Sequence, residues 1–390
     1  MYNIIVNPTI FIPLFKGIKN KSLYNYPMST QRNGIPIQKD KIPENAIIKD
    51  LRPYTEFRVK TLSNYKKTDV KNALIDCMLR EKVEPACNWG AEFICSGHFG
   101  ELWETILFFF SKYIHLGNPK IPIYLKRRYA TFKGIINSGD FFNELDLRNN
   151  ETIRQLFAEI ICVLTTSKKK NSFEYVKIDR EEEFDMTKNT ERFKAPSLEY
   201  ADRVMKPEDP RELSVAINEF LYNLSINNNQ NSCYWVDWII EFDIICRNRK
   251  EPSYCEKRDD LLVENKFKRD IVWLIWDSIL HQSEPLCVFI KESIQALFEL
   301  FCIKYTNASG KKRRYMIYFA ISLLTESFDA TTELIEKKEM IDVVRLKINE
   351  IYKQIKKNEI TSGEYASIEM SDKEKNFNDS LEKLNLINSI

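Results

Sequence analysis

Apolar residues recur at helical spacing along most of this chain. Val70, Ala73, Leu74, Cys77 and Met78 fall on one face, and Asp69 is placed to cap them. Glu84-Pro85 opens a second helix, because proline is tolerated in a first turn. Ala86, Trp89, Phe93 and Ile94 are its apolar positions, and Ser96-Gly97-His98 ends it. Leu102 to Ile114 is apolar almost all round, which predicts a deeply buried helix stopped by Gly117-Asn118-Pro119. A fourth helix starts at Ile121, with a basic end at Lys126-Arg127-Arg128. Asn149 or Asn150 caps a fifth over Thr152 to Leu164.

Similar patterning returns later in the chain. Phe220, Leu221 and Leu224 lie 146 residues after Leu74, Ile75 and Met78. Cys87-Asn88-Trp89 is matched by Cys233-Tyr234-Trp235 at the same offset, and Ile239 and Ile240 stand for Phe93 and Ile94. His115 and Pro119 are matched by His281 and Pro285, 166 residues on, so a polar insertion near Arg247–Lys266 lengthens the second copy by 20 residues. Repeated helical units of this kind build scaffolds more often than active sites.

The pattern predicts a mainly α fold: two similar helical halves from an internal duplication, an extended N-terminal arm and a C-terminal helical tail. The arm is 1–60, where Asn7-Pro8, Ile12-Pro13, Tyr26-Pro27, Ile35-Pro36 and Ile42-Pro43 break any helix. Ile35-Pro36-Ile37 and Ala46-Ile47-Ile48 are its candidate anchor points. The first helical unit is 61–165, a charged linker is 166–210, and the second unit is 211–303. The tail is 304–390, with a charged helix over Glu333 to about Lys357, an apolar seam through Ile341, Val344, Ile348 and Ile355, and a loose C-terminus.

Composition narrows the function classes. Only 10 of 390 residues are Gly, which argues against Gly-lined nucleotide folds and turn-rich β folds. With 58 basic and 56 acidic residues the net charge is +2, so no global field draws the chain to nucleic acid or anionic lipid. Nine cysteines follow no framework spacing, and several sit in apolar runs, as reduced buried thiols do. The expected compartment is therefore reducing. The apolar stretches, about ten residues at most, are too short to cross a bilayer. The opening residues carry no basic segment before an apolar one, so neither a signal peptide nor a membrane partner is expected.

The candidate chemistry has plain structural alternatives. Cys87, Cys95 and His98 offer three zinc-type ligands, but their spacing matches no common zinc motif and no fourth ligand is obvious. The expectation is no metal and no cofactor. His115 and His281 suit helix C-termini, where a histidine can meet orphan carbonyls. The tryptophans at 89, 103, 235, 238, 273 and 276 sit among Ile, Leu and Phe and read as core. Glu92, Glu101 and Glu104 read as helix-face charges, with Glu92 the one to inspect for burial. The runs Lys126, Arg127, Arg128 and Lys311, Lys312, Arg313, Arg314 are candidate phosphate contacts, as is Lys168–Lys170, with solvated loops as the alternative. No Walker loop, dinucleotide turn, His-Glu-x-x-His or Gly-x-Ser-x-Gly elbow occurs.

The stretch from Val59 to Tyr129 resembles proteins of large nucleocytoplasmic DNA viruses. The likeness is carried by Leu62-Ser63, Tyr65-Lys66-Lys67-Thr68-Asp69-Val70, Cys87-Asn88-Trp89-Gly90-Ala91-Glu92-Phe93-Ile94-Cys95-Ser96-Gly97-His98 and His115-Leu116-Gly117-Asn118-Pro119-Lys120. It covers under a fifth of the chain and implies no particular activity. The Asn, Lys and Ile bias is similar to that of AT-rich giant-virus genes. Ile114 to Pro119, with the helix before it, also looks like the helical collar of clamp-loader relatives, whose ATPase motifs this chain lacks. The expected function is a non-enzymatic interaction or scaffold protein of such a virus, in particle assembly or the viral factory. Its partners would be proteins, with homo-oligomerisation open and location in host cytoplasm, factory or virion. The alternative is a nucleic-acid-associated accessory of replication or transcription. A divergent enzyme with a site at Glu92 and His98, between the halves, is the third class.

Overall fold

The helix-forming patterns become thirteen α-helices in a computed structural model that describes residues 42–139, 141, 143–180, 184 and 190–361. The protein is mainly helical, and no β-strand occurs among the described residues. The first five helices are α1 (Lys67–Leu79), α2 (Val83–Cys95), α3 (Phe99–Phe109), α4 (Ile121–Ser138) and α5 (Glu151–Thr166). Next come α6 (Glu199–Asp202), α7 (Ser214–Ser225), α8 (Asn229–Asn248), α9 (Val272–Ser283) and α10 (Val288–Phe301). The last three are α11 (Ser309–Lys312), α12 (Arg314–Thr325) and α13 (Lys338–Lys356).

Local chemistry sets many of these boundaries. Val70, Leu74 and Met78 are buried along one side of α1. Asp69 lies inside its first turn instead of capping it, because the helix already begins at Lys67. Asn150 does cap α5, its side chain accepting the Ile153 N–H at 3.0 Å. Gly97 ends α2 at φ 74°, where a left-handed residue lets the His98 N–H reach the Phe93 carbonyl at 2.8 Å. The apolar run after α3 leaves regular α geometry: Phe110–Ile114 form a π turn and His115–Gly117 a 3₁₀ turn.

The described residues, all within 42–361, belong to one compact unit. α2 lies between α1 and α5, α13 crosses α5 and α2, and α4 packs on α10. α12 touches α8, α9, α10 and the π turn, and Arg314 to Leu323 are all buried. Within the expected tail of 304–390, α12 is thus a central element of the core, because it supplies apolar surface on every side. Residues 167–178, in the expected charged linker, are mostly exposed but are tied to the body at several points. Ser167, Ser172 and Ile178 are buried, and the Lys170 and Ser172 amides donate to Ile114 and Lys112 carbonyls at 3.2 and 2.7 Å. Of the expected arm, Ala46 and Ile48 are buried anchors, whereas 1–41 lie outside the described residues, as do 362–390.

The expected halves share one local feature. The α1–α2 turn has Glu81 at φ 57°, and the Lys82 N–H reaches the Cys77 carbonyl at 2.9 Å. The α7–α8 turn repeats this 146 residues on, with Asn227 at φ 58° and Asn228 N–H to Asn223 carbonyl at 2.8 Å. Beyond the hairpins the correspondence loosens. α8 runs on to Asn248, and 249–271 form a non-α excursion pinned by Arg258 to Asp209 and Asp277 at 2.7 and 2.8 Å. A duplication of the whole unit is not shown.

Candidate functional site

The residues singled out in the sequence scatter. Cys87 and Cys95 are buried on α2, and burial pushes both thiols well above their ordinary range. Cys87 Sγ faces the Ala158 carbonyl of α5 at 4.0 Å. His98 is fully buried, edge-on to Tyr54 and Phe93, and burial lowers its pKa. No group of three or more potential ligands that could hold a metal occurs among the described residues.

The paired histidines do different things. His115 sits at φ 46°, stacked on Phe319 with ring centroids 4.7 Å apart, and neither nitrogen makes a well-formed hydrogen bond. Burial lowers its pKa to about 4. It stacks instead of capping a helix, because α12 closes over it. His281 lies half-buried in the last turn of α9, with Nδ1 3.8 Å from Glu284. Pro119 is buried and Pro285 exposed. Trp235 is core, and Trp89 is part-buried against Tyr65.

The basic runs do not form one surface. Arg313 and Arg314 are buried, the first paired with Glu104 and the second with Asp237 at 2.9 Å. They act as internal ties, because α12 begins there and turns both guanidinium groups inward. Arg128 pairs with buried Glu159 at 2.9 Å and Lys126 with Glu299 at 2.7 Å, while Arg127 is exposed. Glu92 is buried too, and desolvation raises its pKa; it accepts from the Ser63 hydroxyl and so fixes the turn before α1. Glu101 pairs with Lys67 at 2.7 Å.

What the fold does assemble is a set of three adjoining depressions that meet at Lys312. The largest, about 960 Å³, lies between α3, α4 and the α10–α11 joint. Trp103, Tyr129, Phe132 and Phe141 give it aromatic walls. Phe108 separates it from a second, about 860 Å³, bordered by Tyr175–Arg180 and α11. Lys311 and Lys312 also border the third, an apolar crevice of about 330 Å³ between α8 and α9.

The charges along this trench are unequal in kind. Most of its carboxylates face cations: Glu104 with Arg313, Asp237 with Arg314, Glu241 with Arg180, Asp243 with Arg247, Glu101 with Lys67, and Glu144 with Lys304 at 3.9 Å. Lys71, Lys133, Lys177, Lys311 and Lys312 also line it, and they form no ion pair among the described residues. Lys71 lies over the Phe108 ring at 5.4 Å. Only Lys311 and Lys312 stood out in the sequence. The other lysines are isolated, on α1, on α4 and in the 167–180 strap, and nothing local marks them as neighbours.

No protein family, curated protein or solved structure matches this chain.

Proposed function

We propose that this chain is a non-enzymatic interaction protein of a large DNA virus, working in particle assembly or the viral factory. The observation that carries this reading is the trench: an aromatic-lined surface in a helical frame, with the Arg313–Glu104 pair and the buried Arg314–Asp237 pair tying its floor. Apolar walls with a few convergent charges suit binding, and a tied floor lowers the entropy lost when a partner docks. No described helix is long and apolar enough to cross a membrane. The nine cysteines are free, and most are buried, which suits the reducing cytoplasm or factory.

The test is photo-cross-linking from positions 133 and 177 during infection, with quantification of the protein in purified particles. One predominant viral partner, lost in a Lys312→Glu variant, is the expected result. Turnover of a substrate that depends on Glu92 or His98 would sink the non-enzymatic reading.

A second reading, an accessory of viral replication or transcription that holds nucleic acid, is favoured by a specific observation. Lysines that form no ion pair among the described residues converge on the trench, Lys311 and Lys312 of one basic run included, although the run Lys126, Arg127 and Arg128 does not line it.

A further inference from the structure

We infer that the trench seats single-stranded nucleic acid, with bases against its aromatic walls and phosphates on its unpaired lysines; this rests on the second reading above. Charge comes first. The overall balance of +2 hides a local excess, because most of the lining carboxylates are already matched, while lysines from α1, α4, α11 and the strap form no ion pair among the described residues. Such a lining attracts a polyanion whatever the net charge. The lysines are also spread along the adjoining depressions and not clustered at one point, as a repeating backbone charge requires.

The apolar part selects the kind of polyanion. Tyr129 and Phe141 are half-buried in the lining of the largest depression, Phe108 is half-buried at the divide, and Tyr175 is exposed beside Lys177, while Trp103 and Phe132 are buried. Base faces can stack on such rings only when they are not already stacked in a duplex. A B-form duplex would meet the rim lysines with its phosphates and leave the aromatic walls wet. An acidic peptide would neutralise the lysines, but it brings few flat rings to the walls.

Fluorescence anisotropy of the full chain tests this, with a labelled mixed-sequence DNA strand of about 20 nucleotides, the matching duplex and a glutamate-rich peptide. The strand should bind more tightly than the duplex and the peptide, and its affinity should fall at least tenfold between about 50 and 200 mM salt. Exchanging both exposed lysines (Lys311→Glu with Lys312→Glu) should weaken strand binding more than tenfold without moving the thermal midpoint. Tyr175→Ala should weaken it by roughly tenfold. Arg127→Glu, outside the trench, should leave it unchanged. If the duplex binds as tightly as the strand, the accessory reading stands and the single-strand inference falls. Failure of both to bind at low salt overturns both, and so does preference for the peptide. Unchanged binding in the double lysine variant removes the trench as the seat.

Discussion

At the scale of single residues, burial decides function more than residue type does. His115 is the clearest case. Its folded pKa of about 4 lies below the ordinary value of 6.5, so the unfolded chain takes up the proton first. Its contribution is complete above the unfolded pKa and is lost as pH falls toward about 4, by on the order of 3 kcal/mol. His115→Phe keeps the stack on Phe319 and should abolish that step, read as the difference between the two proteins in urea unfolding across this pH range. Arg154 is the second case. It is fully buried, has no carboxylate partner among the described residues, and lies over the Tyr352 ring at 3.8 Å. It donates to the Arg148 and Ala46 carbonyls at 2.8 and 3.0 Å. Arg154→Met strands those acceptors and should cost on the order of 3 kcal/mol in denaturant unfolding, despite its similar bulk.

At the scale of elements, close approach of backbones sets the tolerances. A side chain at Gly117 would place its Cβ 2.5 Å from the Lys168 carbonyl oxygen. Gly117→Ala should therefore push the strap off the π turn, cost roughly 1–3 kcal/mol, and speed hydrogen exchange at the Lys170 amide. Gly100, in the first turn of α3, has nothing within 4 Å of such a Cβ. Gly100→Ala should be neutral or stabilise by up to about 1 kcal/mol in the same assay. The hairpin turns at 81 and 227 show how far local sequence reaches. Both adopt the same hydrogen-bonded closure, whereas the helices beyond them, α3 and the end of α8, diverge because they pack on different neighbours.

At the scale of the whole molecule, the ties run between distant segments. Arg313 meets Glu104 across 209 residues, and Arg345 of α13 meets Glu159 across 186. α13 also buries Ile341, Ile348, Tyr352 and Ile355 against the body. The unit over 61–165, expressed alone, should melt without a cooperative transition, because α12 and α13 no longer cover it. The full chain should show one main calorimetric transition. A cooperative melt of 61–165 by itself would contradict this.

The chain's sequence by itself determined the helices and many of their ends. Those are local matters: the spacing of Val70, Leu74 and Met78, the Asn150 cap, the glycine after α2. It also identified the tryptophans at 103, 235, 238, 273 and 276 as core, because they stand among aliphatic neighbours in periodic runs. Tertiary structure alone decided which charges are spent. Arg313 and Arg314 read as a basic run until Glu104 and Asp237 came to them from other helices. Lys71, Lys133 and Lys177 read as ordinary surface until three elements brought them to one trench. Ion pairing depends on distance in space, and periodicity along a chain reports only which face a residue takes, not what that face will meet.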